Sequence, residues 1–385
     1  MANSLNKPAN PMAQPGALAV GRQYLRYFLP VGLAFGGGQM ARGDNHVEYR
    51  YESYAEDNNR MTINTHSVYF EQQLVDSIIA RGEFIYDGIS GSTPTGAGNI
   101  IVHMQDIRRA ENIGVDWTLK ANTFSPEFAY SKESDYESYG ISANDAIAFN
   151  DKNTILEFGA SHNFDRVLDN SAPRTWQDKQ ATEILAGVSQ LLDPKTIFKA
   201  DFTYGSESGY LTDPYRQIDF TFGGFAFPEI RPRHRSKEVF QAGLTHYFDA
   251  VSGSAELSYR FYHDSYGIDA HTAALTWHQK LGRHLIVEPA FRYYQQSSAD
   301  FYRVGVANLF PGFPLGENPQ FYSADYRLSR MFTLDYGAQA TVIVTDWLRL
   351  VAGYHRYEMH GLDNQTPAFM YPKANIVTVG VQFLW

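Results

Sequence analysis

The sequence predicts an all-β protein: a transmembrane antiparallel up-and-down β-barrel of about 16 strands. Three observations predict it. Apolar and polar residues alternate with period two, again and again, from about residue 45 to Trp385. The turns between these runs are alternately short and long, as periplasmic turns and extracellular loops are. Aromatic residues make up 15% of the chain and recur along it, as the girdles at two membrane interfaces require.

Residues 1–44 read as a leader, either a signal peptide or a disordered segment. Arg22 and Arg26 precede the apolar run Tyr27–Phe35, and Met40–Ala41 is a weak cleavage candidate. The barrel is then expected over residues 45–385. Its first strand interleaves Val47, Tyr49 and Tyr51 with Glu48, Arg50 and Glu52. Segment 61–72 alternates poorly and is given a strand by spacing. Ile113, Val115, Trp117 and Leu119 interleave with Asp116, Thr118 and Lys120. Phe198, Ala200, Phe202 and Tyr204 interleave with Lys199, Asp201 and Thr203. The same pattern holds for Leu257, Tyr259 and Phe261, for Leu285, Val287, Phe291 and Tyr293, and for Phe332 through Val344. The last strand puts Val377, Val379, Val381, Phe383 and Trp385 on one face and Thr378, Gly380 and Gln382 on the other. A helix would gather apolar residues at spacings of three and four, and these do not gather so.

Short turns fall at Asp151–Asn153, Asp193–Lys195, Ala250–Ser254, Leu281–Arg283 and Thr345–Asp346. Long ones are expected near 87–104, 166–178, 208–236, 299–326 and 361–371. An even strand number returns both termini to the periplasm. A soluble β-sandwich also alternates, but its loops have no reason to alternate short and long.

The bulk numbers agree. No run of roughly 18 apolar residues exists to make a transmembrane helix. A barrel strand needs only about 9–11 residues with every second one apolar. The net charge of −10 argues against nucleic acid, which selects basic surfaces. The chain has no cysteine, which suits passage through an oxidising periplasm without disulfides.

The final strand, Val377, Val379, Val381, Phe383 and Trp385, resembles the assembly signal of outer-membrane barrels. The resemblance implies recognition by the barrel-assembly machinery. Longer stretches are similar to a porin-like family of Gram-negative outer-membrane barrels that carries a domain of unknown function. They are Tyr86-Asp-Gly-Ile-Ser-Gly-Ser-Thr-Pro-Thr-Gly96, Gly209-Tyr-Leu-Thr-Asp-Pro-Tyr-Arg216 and Pro228-Glu-Ile-Arg-Pro-Arg-His-Arg235. Ser258 through His271, Trp277 through Lys280 and Arg292 through Tyr302 extend the similarity, which covers essentially residues 45–385. The family implies a fold and a place, the bacterial outer membrane. It implies no activity.

Function must therefore come from side chains. In a membrane barrel the apolar face meets lipid and the alternate face meets the lumen. That register gives the lumen Glu48, Arg50, Glu52, Arg81, Glu83, Asp116, Lys120, Glu157, Glu183, Lys199, Asp201, Glu256, Arg260, Glu288, Arg292, Asp335 and Arg349. Such a wall is either a mixed-charge filter for solutes or a salt-bridged, plugged interior. Arg231, Arg233 and Arg235 lie in the longest loop, where they are a candidate basic constriction or a solvated patch that meets lipopolysaccharide phosphates. The Gly-, Ser- and Thr-rich Asp87–Gly96 reads as a structural turn, with anion binding as the alternative.

His263, Asp264, Asp269 and His271 cluster at one hairpin, but their spacing matches no metal motif and alternation scatters them over both faces. No catalytic, metal or cofactor residue is assigned, and no cofactor is expected. The leading expectation is a channel or transport barrel rather than an enzyme. A hydrolase-like site near the extracellular rim and a closed scaffold barrel with periplasmic protein partners are the alternatives. Outer-membrane lipids and lipopolysaccharide are the expected surroundings.

Overall fold

The computed structural model describes residues 45–96, 101–170, 173–220, 225–305 and 320–385. The leader at 1–44 and part of the 299–326 loop lie outside the described residues.

Sixteen strands close into one antiparallel barrel. The first nine are β1 (His46–Glu56), β2 (Met61–Val75), β3 (Ile78–Pro94), β4 (Ile101–Leu119), β5 (Asn122–Lys132), β6 (Tyr136–Phe149), β7 (Thr154–Asp169), β8 (Thr175–Asp193) and β9 (Thr196–Gly209). A separate hairpin follows, β10 (Gln217–Phe220) with β11 (Phe225–Pro228). The barrel resumes with β12 (His234–Phe248), which pairs with β9. It ends with β13 (Gly253–Asp264), β14 (Asp269–Leu281), β15 (Leu285–Gln296), β16 (Met331–Thr345), β17 (Leu348–Gly361) and β18 (Lys373–Leu384). β18 pairs with β1 and shuts the sheet, with Val47 opposite Phe383 and Tyr51 opposite Val379.

Closure removes every edge strand, and alternation then sorts the side chains. Phe84, Ile113, Trp117, Ile141, Phe158, Ile184, Phe240, Leu257, Phe291, Leu350 and Tyr354 are all large, apolar and exposed. On a soluble protein so continuous a band would be a liability. On a membrane barrel it is the lipid-facing surface. Among the described residues no helix is long and apolar enough to cross a membrane.

One end of the barrel carries Asn45, Trp385 and the tight turns. Residues that tolerate left-handed backbone make those turns: Asn150 and Asp151 adopt φ of 50° and 54°, and Gly282 φ of 65°. The other end carries the longer connections. Two of the loops expected there are much shorter than the sequence suggested. Residues 87–94 continue β3 and pair with 101–108, with Asp87 opposite Arg108. Residues 166–169 and 175–178 likewise extend β7 and β8. At about 3.4 Å per residue, the 19 residues of β4 run about 65 Å. Even tilted, they outreach a hydrocarbon core of roughly 30 Å, so the wall stands well proud of the membrane at the loop end.

Candidate functional site

Residues opposite each other on paired strands share a face, so the register decides what the lumen sees. Glu48 lies opposite Tyr69 and Gln382. Arg81 lies opposite Glu71 and Gly114, and Glu157 opposite Ala146 and Gly187. Lys199 lies opposite Ser189 and Gly243, Arg260 opposite Gln241 and Thr272, and Asp335 opposite Arg292 and Tyr357. Followed round the barrel, these partners set the sequence-derived lining on the face opposite the exposed apolar band. Lys120 departs from it, sitting in the β4–β5 turn with φ of 55°.

Towards the turn end this inner face is polar, and much of it is paired. Arg50 contacts Glu48 at 2.6 Å, and Gln382 donates to Glu48 at 3.0 Å. Arg81 reaches Asp116 at 3.4 Å and Glu127 at 3.7 Å. His278 Nδ1 lies 2.6 Å from Glu288, and nearer the loop end His355 Nδ1 lies 2.8 Å from Asp335. The β7–β9 sector differs. Glu157, Glu183 and Lys199 point inward there and are solvent-exposed, which requires open space beside them.

Towards the loop end the inner face carries buried apolar clusters beside buried ion pairs such as Asp87–Arg108 and Arg235–Asp264. Met61, Ile63, Ile89 and Met104 form one buried cluster against Tyr54. Met331, Tyr357, Met359 and Ala374 form another, and loop residues Tyr326, Met370 and Tyr371 pack onto it. Tyr266, Ile268 and Ala270 hold Ala299, Phe301 and Leu328 in the same way. Loop segments are therefore folded into the mouth and seated on inward-facing side chains.

A buried ionic network ties these segments together. Arg327 grips Asp325 through Nε at 2.9 Å and through a terminal nitrogen at 2.5 Å, and it also reaches Asp213 at 2.5 Å. Arg231 contacts Glu229 at 2.6 Å and Asp325 at 2.7 Å. Arg216 lies 3.6 Å from Asp325, stacks over Tyr326 and donates to the Pro94 carbonyl. Glu229 accepts from the Asp213 amide at 2.7 Å and from the Ser323 hydroxyl. Backbone bonds join Ile230 to Tyr322 and Gln217 to Thr95. Three arginines thus meet three carboxylates, and the charge cancels. Burial alone would raise the Asp325 carboxyl, but Arg327, Arg216 and Arg231 hold it well below the usual carboxylate range. Burial pushes Glu229 up, with Arg231 opposing.

The basic loop takes three different places. Arg231 belongs to the neutral network. Arg235 is on β12, bonded to Asp264 at 2.9 Å and stacked over Tyr266. Arg233 is exposed. Asp87, expected in a turn, is buried on β3 and paired with Arg108 at 2.6 Å. The 263–271 residues divide as alternation requires: Asp264 points inward to Arg235, while His263 and Asp269 contact each other at 2.7 Å, both exposed. Of the assembly-signal residues, Val377, Val379, Phe383 and Trp385 are exposed on the outer face, and Trp347 stacks on Phe383. Asp213, Arg216, Glu229, Asp325 and Arg327 were not singled out from the sequence. The Asp213-Pro-Tyr-Arg216 stretch was the one hint, because opposite charges lie three apart in a turn.

A family model described as a protein of unknown function, DUF3570, matches residues 100–172 and 168–371. No curated protein matches the chain. Among solved structures, CdiB from Acinetobacter baumannii is similar with a TM-score of 0.50 at 7% identity, over 88% of this chain and 60% of that one. The chain thus spans about 60% of the CdiB chain, under two thirds of its length. A bacterial polysaccharide outer membrane secretin gives 0.48 at 11% identity, over 89% of this chain and 98% of that one. A loop-deletion variant of OmpT, an outer membrane protein of Vibrio cholerae, gives 0.44 at 9% identity, over 89% and 98%. At such identities the likeness is one of fold.

Proposed function

We propose, for a chain that belongs to the DUF3570 family of proteins of unknown function, the work of an outer-membrane channel whose mouth is narrowed by an inward-folded loop cap. Its termini and tight turns face the periplasm and its cap faces outward. The observation that carries this reading is the exposure of inward-pointing Glu157, Glu183 and Lys199. A barrel that served only as a sealed scaffold would have those charges paired or packed, because unpaired buried charge is costly. Polar solutes would pass along the β7–β9 side, and the acidic excess there would favour cations. The chain acts as a conduit in this reading, not as an enzyme.

The buried cap favours a second reading, a barrel closed at rest. Planar-bilayer recordings of the purified full chain separate the two. Discrete conductance steps from the unmodified protein support the open channel. Steps seen only after Asp325→Ala, which breaks the cap network, support a gated one. Silence from both sinks the channel reading and leaves the scaffold.

A further inference from the structure

One acidic group belongs to none of the lumen pairs or the cap network described above. Asp106 is on the inner face of β4, near the loop end. Glu133 and Asp135 lie in the turn that joins β5 to β6. One carboxylate oxygen from each lies within 4.8 Å of the other two. Glu133 and Asp135 are buried, at 6% and 1% exposure.

Acidic residues often gather without purpose, so the partners decide. Asp106 accepts from the Ser134 hydroxyl at 2.6 Å and from the Ile107 amide at 2.7 Å. Asp135 accepts from Tyr215 of the cap segment. Glu133 Oε2 and Asp135 Oδ1 are buried with no hydrogen-bond partner among the described residues. The nearby Arg108 lends opposing charge but makes its ion pair with Asp87, its Nε at 2.6 Å. Asp87, Asp106, Glu133 and Asp135 together outnumber Arg108, and a buried carboxylate needs either a hydrogen bond or a counter-charge. Neither Glu133 Oε2 nor Asp135 Oδ1 has a hydrogen bond or an ion pair among the described residues, and a Glu133 carboxylate oxygen lies within 4.8 Å of one from each of the other two.

We propose that Asp106, Glu133 and Asp135 bind a hard divalent cation, calcium, which fastens the β5–β6 turn to β4. All three donors are oxygens, which suit calcium or magnesium and not the softer metals. Calcium takes six to eight oxygens at about 2.3–2.6 Å in a flexible shell, so oxygens in one shell stand up to about 5 Å apart. Carboxylates on a turn and a strand meet that tolerance more readily than the strict octahedron of magnesium. Through the Asp135–Tyr215 bond the ion would also hold one foot of the cap. The proposal stands independently of conduction.

The test uses the full chain, refolded from denaturant without lipopolysaccharide and stripped with EDTA. Calorimetric titration with calcium chloride should show one saturable equivalent, tighter than about 1 mM, the weak limit for extracellular sites. Glu133→Gln and Asp135→Asn together should abolish it. Asp106→Asn alone, at the more exposed ligand, should weaken it at least tenfold, and serves if the double variant fails to fold. No saturable heat from the unmodified chain would overturn the site. So would an unchanged affinity in folded Asp106→Asn. Equal affinity for magnesium would overturn the choice of calcium.

Discussion

The two ends of the lumen are built by the same strands and the same alternation, yet they are chemically unlike. At the turn end the inner face carries Glu48, Arg50, Arg81, Asp116, Glu157 and Lys199. Further along the same inner face, at the loop end, stand the buried Ile63, Ile89, Met104, Met331 and Met359. The first end keeps polar groups beside open space. The second buries apolar clusters and ion pairs, with loops as its other half. Period-two patterning says that a strand has two faces. What lies against the inner face decides whether that face is polar.

The largest test of this contrast is Asp325→Ala. It leaves Arg216, Arg231 and Arg327 with two carboxylates, Asp213 and Glu229, and so an uncompensated positive charge in a buried site; breaking a buried ion pair typically costs about 3–5 kcal/mol. The cost falls on the cap, since the barrel hydrogen bonds are untouched. Limited proteolysis should cut within 210–233 or 320–330 much faster, while the heat-modifiable barrel band persists. Protease resistance equal to the unmodified chain would mean that the apolar seat alone holds the cap.

Next in size is the outer face. Ala338 is exposed on β16, and Arg there should cost about 2–4 kcal/mol near the bilayer midplane. Gln339, one residue on, donates to Glu288 at 3.1 Å, and Arg there should be much milder. Denaturant titration in lipid vesicles measures both. Equal losses would contradict the assignment of faces.

A smaller effect concerns pH at the rim. Burial pushes the Glu133 carboxyl up to about 8, with Asp135, Asp106 and Asp87 adding and Arg108 opposing. An acid raised in the folded state binds more protons folded than unfolded, so stability falls as pH rises. In EDTA the melting temperature should therefore drop between pH 4.5, the ordinary carboxyl value, and about 8. A flat or rising profile would argue against an uncompensated Glu133.

The smallest effect should come from the open side. Glu157→Gln with Glu183→Gln breaks no hydrogen bond or ion pair among the described residues and should change stability by no more than about 0.5 kcal/mol. Reversal potential should still move toward anions, most clearly at low salt. A fixed reversal potential would place the current elsewhere in the lumen.

The wall was legible because its signal is local. Val377 to Trp385 declares both faces within nine residues, and the strand number and the tight turns follow from such runs. Where legibility failed, the cap was the cause. Segment 61–72 alternates poorly because Met61 and Ile63 point inward to a packed mouth while Thr62 and Asn64 point out. Residues 87–94 read as a loop because they are rich in glycine and serine. Gly91 is in fact a strand residue at φ of 134°, where a Cβ would run into the Arg60 carbonyl. The ionic network was illegible for a different reason. Arg231 and Asp325 are 94 positions apart, and nothing in either neighbourhood announces the other.

The β1–β18 seam bears on time rather than on energy. Most neighbouring strands are joined by a turn or loop, and Thr65 meets Asp87 across only 22 positions. Gln382 must find Glu48 across 334. That is about four doublings of loop length, or roughly 2–3 kcal/mol more closure entropy at about 0.6 kcal/mol each. The seam should therefore form last, and the open sheet should be the long-lived intermediate. Weakening substitutions at Tyr51 or Val379 would then slow the final folding phase, while equal ones inside the β7–β8 hairpin would mainly speed unfolding or shift earlier steps.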